Sequence, residues 1–294
     1  MVARGRRYVR FCGADGTPRV GVIESGEPVT LRTLPQADIV AAIAAAASPG
    51  AAVVEALDPE TLELPAPWRL LAPVVAPETW CAGVTYERSR DARLEEARTE
   101  ARDVYALVYE ADRPELFLKD AAGRRTAGPG DPIGIRGDQS WTVPEPELVL
   151  LLGERGRLLG VTAGNDVSSR DIEGANPLYI PQAKIFGGAA AIGPAVLVPV
   201  DWVEPFRIEL TIRDAAGAFL FTGATSTARL ERGFQELSDW LVRDNPVPVG
   251  SLLMTGTGLV PPDDYALQAG HVVDVHIAGI GTLRNVAAPA SSLL

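Results

Sequence analysis

Residues 141–153, WTVPEPELVLLLG, decide how this chain folds. The second half is an unbroken apolar run, the pattern of a strand covered on both faces. The first half sets Glu145 and Glu147 on one face of that strand, because side chains alternate, with Pro146 between them on the other. Two like charges at the mouth of a core strand are expensive unless an opposite charge meets them. The turn signal GERG at 153–156 folds the strand back as a hairpin into RLLGVTAGND. With the turn centred between Glu154 and Arg155, Glu147 faces Thr162 and Glu145 faces Gly164. Asp166 then lies two residues further along the same face, and diagonal neighbours are only about 7–8 Å apart at the backbone. Three carboxylates in one patch, with no histidine or thiolate, suit a hard cation, Mg2+, Mn2+ or Ca2+, rather than Zn2+. The competing reading is a pair of acids on a solvated sheet edge.

Beyond the hairpin, LFLKD, DPIGIRG, AAIGPAVLVPV, FRIELTIRD and GAFLFTG are short strand patterns separated by glycine-rich turns. Their density points to an antiparallel or mixed β fold, α+β and mostly β, rather than regular βαβ alternation. One late helix is expected in STARLERGFQELSDWLVRD, where Leu230, Phe234, Leu237 and Leu241 recur at helical spacing. The stretch YERSRDARLEEARTEARDVYALVYEA has no Gly or Pro and alternates its charges, as a solvated helix does. At the other end, RYVRFCG and PRVGVIE read as strands, followed by an alanine-rich helix and the proline-studded connector LPAPWRLLAPVVAPETW. The connector divides the chain into a small N-terminal α+β domain, 1–75, and a larger domain, 76–294.

With 47% hydrophobic residues, the 294-residue chain lies far from disordered compositions. A net charge of -11 and no basic stripe exclude nucleic acid as a partner. The longest apolar stretch, residues 39–47, falls well short of the roughly 20 residues a spanning helix needs, so no membrane role is expected. The basic start MVARGRR has no apolar segment behind it, and Cys12 and Cys81 form neither a disulfide framework nor a metal-binding pair. A cytoplasmic protein is expected.

The motifs GPGDPI (128–133), PEPEL (144–148), GNDVSSRDIE (164–173), QAKIFGGAAAIGP (182–194) and LLMTGTG (252–258) resemble, in order, those of the fumarylacetoacetate hydrolase family. The stretches VYEADRPELFLK, SWTVPEPEL, NPLYIPQAKI and LVRDNPVP are most similar to its 2-keto-3-deoxy-D-arabinonate dehydratase branch. The resemblance implies a mixed β-sandwich roll with a small N-terminal domain, an Mg2+ site, and a homodimer or homotetramer. It places Glu145, Glu147 and Asp166 on the metal-ligand positions, Lys184 on the active-site lysine, and Glu115 over the substrate.

The implied reaction removes water from a 2-keto-3-deoxy sugar acid through an enolate that the ion stabilises. Lys184 is the expected base at C3 and Glu115 the expected acid at the C4 hydroxyl. Arg170, Glu173 and Thr257 are candidates for substrate binding. Four of these have a purely structural alternative: for Lys184 an ion pair with the metal carboxylates, which would orient rather than abstract, an internal pair of Arg170 with Asp171, a turn role for Thr257, and for Glu115 a surface pairing with Arg113 or Lys119. One departure from the family pattern is Ser89, which stands where its hydrolases carry a water-activating histidine. His271 and His276, five residues apart in a strand pattern, fall on opposite faces and suit structural roles. The alternative activities are a C–C bond hydrolase of acylpyruvates or 2,4-diketo-3-deoxy sugar acids, and a noncatalytic sugar-acid or metal-binding protein.

Overall fold

The computed structural model describes residues 4–86, 111–203 and 205–294. The expected charged helix and Ser89 fall largely or wholly on 87–110, outside the described residues. The first part of the chain runs β1 (Gly5–Cys12), β2 (Arg19–Glu24), β3 (Thr30–Leu34), α1 (Ile39–Ala44), β4 (Ala52–Glu55), β5 (Arg69–Leu71) and β6 (Glu78–Gly83). Then follow β7 (Glu115–Ala121), β8 (Thr126–Ala127), β9 (Pro132–Ile135), β10 (Thr142–Val143), β11 (Pro146–Leu152), β12 (Leu158–Asp166) and β13 (Ser168–Ser169). Two short helices, α2 (Arg170–Ala175) and α3 (Ile180–Lys184), lead into β14 (Ala190–Pro199), β15 (Arg207–Arg213) and β16 (Phe219–Ser226). Helix α4 (Phe234–Leu241) precedes β17 (Leu252–Met254), β18 (Val272–Ile277) and β19 (Gly281–Pro289).

A large sheet is ordered β4-β3-β2-β1-β14-β12-β11-β17-β6-β7, and a second is ordered β16-β15-β18-β19-β9. Both contain antiparallel and parallel pairs, as expected for a mixed β sandwich. The apolar run of β11 is buried on both faces. Leu148, Leu150 and Leu152 pack with Ile208, Leu210, Val273 and Val275 of the second sheet. Val149 and Leu151 point the other way, into a cluster with Tyr8, Val20, Val22, Met254 and the α1 residues Ile39 and Ala42. At about 25 cal/mol per Å² of apolar surface, these two layers supply most of the driving force for the fold.

Strands β1 to β4 join the large sheet through β1, whose Tyr8 lies opposite Val196 of β14, so the first 75 residues extend the sheet that carries β11 and β12. The late helix starts four residues after Leu230. That residue is bridged to Tyr86, and the helix begins at Phe234 with Leu237 and Leu241 buried. The alanine-rich helix spans only Ile39–Ala44, because residues 52–55 become an edge strand.

Candidate active site

Glu145, Glu147 and Asp166 meet at the mouth of the β11–β12 hairpin, with one ligand atom from each within 4.8 Å of the others. The register differs from the sequence reading. Glu147 lies opposite Gly164 rather than Thr162, and Asp166 donates its N–H to the Glu145 carbonyl at 2.9 Å. Two one-residue displacements produce the change. The turn closes from the Gly153 N–H to the Arg157 carbonyl, with Arg155 at φ 53° and Gly156 at φ 75°. Leu159 is then an extra residue, between Leu158 opposite Leu152 and Gly160 opposite Leu151. Either displacement alone would turn Asp166 to the other face; together they restore it and bring it directly beside Glu145.

Seven charged side chains are buried around this point: Glu145, Glu147, Asp166 and Glu173 against Lys119, Arg170 and Lys184. Lys184, at the end of α3, donates from Nζ to Glu145 Oε2 (2.7 Å), Asp166 Oδ2 (2.9 Å) and the Ser168 hydroxyl, with Glu173 Oε1 at 3.6 Å. Arg170 begins α2; its Nη2 reaches Glu145 Oε1 at 2.6 Å, and its Nε lies 3.9 Å from Glu173 Oε2. Asp171, its expected internal partner, instead accepts from the Ser140 N–H at 2.7 Å. Lys119, fully buried on β7, pairs with Asp166 Oδ1 and donates to the Val167 carbonyl at 3.0 Å.

Glu147 differs from its neighbours. It accepts one hydrogen bond, from the Gly256 N–H to Oε2 at 2.7 Å, and among the described residues it forms no salt bridge. Burial, followed by the fields of Asp166 and Glu145, pushes its carboxyl well above the usual range, against smaller opposing effects of Gly256 and Lys184. The Cys81 thiol is raised by burial first and then by Asp166 and Glu147. This donor set fits a hard cation. Its oxygens are convergent and carry excess negative charge, and one carboxylate has no cation of its own.

The small cavity, about 20 Å³, is lined by Glu145, Glu147, Asp166, Arg170, Lys184 and Thr257, together with Gly83, Phe117 and Gly256. Such a volume suits an ion or a water. Six of the eight residues singled out from the sequence therefore converge there, and two flank it. Glu115 lies at the edge, opposite Gly83 on the neighbouring strand. Its carboxylate packs so closely over that glycine that an added Cβ would lie 1.9 Å from Oε2. Glu173 sits behind Lys184 and Arg170 rather than on the cavity wall. The Thr257 hydroxyl lies 2.9 Å from both the Pro146 and Leu259 carbonyls, fixing the glycine turn to β11.

Lys119 was missed as a site residue by the sequence reading, although alternation along ELFLK puts it on the face of Glu115 and Phe117. Far from being a surface partner of Glu115, it is enclosed against Asp166. His271 contacts the Tyr265 hydroxyl at 3.1 Å, and His276 Nε2 lies 3.2 Å from Glu60 Oε2, so neither joins the cavity. A larger concavity of about 790 Å³ between Gly5 and Val200, along residues 22–32, has no comparable cluster of buried acids and bases among its lining residues.

The family description "Fumarylacetoacetate (FAA) hydrolase C-terminal" matches residues 78–287. The chain belongs to the fumarylacetoacetate hydrolase family. It is 49% identical over 214 residues to a probable 2-keto-3-deoxyxylonate dehydratase of Haloferax volcanii, covering 72% of this chain and 73% of that one. It is 40% identical over 218 residues to a 2-dehydro-3-deoxy-D-arabinonate dehydratase of Saccharolobus solfataricus, covering 73% of each. A solved structure of 2-keto-3-deoxy-D-arabinonate dehydratase, complexed with magnesium and 2,5-dioxopentanoate, superposes with a TM-score of 0.82 at 32% identity. That match covers 96% of this chain and 99% of the other.

Proposed function

We propose that this chain is a hydro-lyase that removes water from a 2-keto-3-deoxy pentonate to give 2,5-dioxopentanoate, with Mg2+ as its ion. The observation that carries the reading is the buried cluster of Glu145, Glu147 and Asp166 facing Lys184. The identity to two dehydratases supports the choice of reaction. Glu145, Glu147 and Asp166 hold the ion. When bound, it polarises the 2-keto group and stabilises the negative charge that develops on its oxygen as C3 loses a proton.

Lys184 Nζ is the group placed to take that proton. Buried lysines serve as bases once they lose their own proton, and Glu145, Asp166 and Ser168 fix the direction of this one. Glu115 delivers a proton to the C4 hydroxyl, which leaves as water. Tautomerisation then shifts hydrogens from the C5 carbinol to C3 and C4, giving the aldehyde. Arg170 and Thr257, both on the cavity wall, orient the substrate's polar end. Glu173 acts from behind, holding Lys184 and Arg170 in place.

Incubation with 2-keto-3-deoxy-D-arabinonate, with Mg2+ and then with excess EDTA, tests the whole reading. The expected product is the semialdehyde, identified by NMR, and turnover falls to background with EDTA. No semialdehyde from this substrate, with pyruvate released by hydrolysis of an acylpyruvate or a 2,4-diketo-3-deoxy acid, would assign the chain to C–C bond hydrolysis.

The place of Glu115 has its own test. In Gly83→Ala the new methyl group takes the space of the carboxylate, which swings away because it is the free end of a flexible side chain. A fall in kcat of about 10- to 100-fold is expected, with the melting temperature nearly unchanged. An unaltered kcat would remove Glu115 from the chemistry.

Residues 1–75 are proposed as a module that builds the sheet without lining the cavity. A cytoplasmic location and a homodimer or homotetramer complete the proposal. The two buried free cysteines support the first, and the exposed apolar side chains of Leu178 and Phe219 support the second. Among the described residues, no helix is long and apolar enough to cross a membrane.

A further inference from the structure

Each of the three carboxylates has one oxygen fixed by a partner other than Lys184, whose Nζ meets the second oxygen of Glu145 and of Asp166. Asp166 Oδ1 is paired with the Lys119 ammonium, Glu147 Oε2 accepts from the Gly256 N–H at 2.7 Å, and Glu145 Oε1 accepts from Arg170 Nη2 at 2.6 Å. The consequence is chemical. An ion must take its ligands from the remaining oxygens, two of them by displacing Lys184 Nζ, so the three carboxylates together supply three single-oxygen ligands and no chelating pair. Mg2+ and Mn2+ accept that arrangement and fill their remaining positions with water or substrate. Ca2+ takes six to eight oxygens and commonly draws two from one carboxylate.

Of the three fixing partners, Gly256 contributes backbone, and Arg170 stands on the cavity wall with a role towards substrate. Lys119 does neither. It is fully enclosed, absent from the cavity lining, and held a second time by the Val167 carbonyl at 3.0 Å, with the Phe186 ring 5.8 Å from its Nζ. With its ammonium held by the Val167 carbonyl as well, Lys119 keeps Asp166 from rotating to present both oxygens without losing a buried ion pair.

We infer that Lys119 is a positioning residue that sets the ion preference of the site, holding Asp166 to a single-oxygen ligand and so favouring Mg2+ or Mn2+ over Ca2+. This rests on the metal reading proposed above. It assigns Lys119 no contact with substrate and no share in proton transfer.

The test is calorimetric titration of the EDTA-stripped full-length protein with MgCl2 and, separately, with CaCl2. The unaltered protein is expected to bind Mg2+ at least about 10-fold more tightly than Ca2+. In Lys119→Met, which keeps the length and loses the charge, Mg2+ affinity falls about 10- to 100-fold. Ca2+ affinity in that variant is held or improved, so the preference falls by about 10-fold or more. Lys119→Gln serves the same purpose if the methionine variant does not fold, and Lys119→Arg, which retains the ion pair, keeps the preference within about threefold.

A general structural role would weaken both ions together. An Mg2+/Ca2+ ratio unchanged within about threefold in the charge-removing variants therefore overturns the inference, as does a preference for Ca2+ in the unaltered protein. Both of those results leave the metal reading standing. Failure of the unaltered protein to bind either ion overturns the metal reading and the inference with it.

Discussion

Glu147→Gln is expected to raise the stability of the metal-free protein while abolishing Mg2+ binding and turnover. The physical reason is that Glu147 is buried beside Glu145 and Asp166 with no cation of its own, and its carboxyl is pushed well above the usual range by burial and by those neighbours. A group that holds its proton more tightly in the folded state favours folding at acid pH. That advantage is complete below its unfolded value of about 4.5 and is lost as pH rises through the higher folded value. The native protein therefore bears a cost at neutral pH, either of the buried charge or of taking up the proton that removes it, that glutamine, of the same shape, does not. A gain of about 1–3 kcal/mol is expected for the variant at pH 7–8, read as a rise in melting temperature of about 2–4 °C per kcal/mol. Near pH 4, where the native carboxyl is protonated, the two proteins should melt together. Mg2+ should raise the melting temperature of the native protein and leave the variant unmoved. If Glu147→Gln were less stable than the native protein at pH 7 without metal, the description of Glu147 as an uncompensated charge would be wrong.

The sequence made the site legible through alternation and chemistry. PEPELVLLL states both that β11 is covered on two faces and that Glu145 and Glu147 share one of them, and each property is realised. The loop geometry was not readable. GERG marks a reversal, but whether Arg155 adopts positive φ and whether β12 admits an extra residue depend on how Leu159 reaches the core beneath Val149 and Leu151. Two errors of one residue each cancelled, which is why the face of Asp166 came out right while its partner came out wrong.

Lys119 shows a different limit. A lysine in ELFLKD defaults to the surface, because a lone buried ammonium is costly. Asp166 and the Val167 carbonyl, brought from elsewhere in the chain, make its burial tolerable. The same dependence on distant partners explains Glu173 and Arg170, whose short helix α2 turns inward because Lys184 and Glu145 receive them. Local pattern locates charges along an element, and three-dimensional pairing decides which of them are enclosed.

Lys184→Met is expected to lower kcat by about 10²- to 10⁴-fold while preserving Mg2+ binding, because the base is lost and all three carboxylates remain. Its effect on stability should have the opposite sign to that of Glu147→Gln. Removing the ammonium takes the closest cation from Glu145 Oε2 and Asp166 Oδ2 and leaves Glu173 with Arg170 at 3.9 Å. Breaking buried ion pairs of this kind costs about 3–5 kcal/mol. The metal-free variant should thus melt well below the native protein, and Mg2+ should recover much of the difference because it supplies the positive charge that Lys184 did. Affinity for Mg2+ should hold or tighten, since an ammonium competing for the same two oxygens is gone. The assays are steady-state kinetics at saturating Mg2+, ion titration, and melting with and without the ion. Activity within about tenfold of the native protein would show that the proton at C3 goes elsewhere, and lost Mg2+ affinity would show that Lys184 helps to shape the ion site. The opposite stability signs of the two variants follow from one arrangement, in which Glu147 lies beside two acids with no ion pair of its own and Lys184 bridges those two.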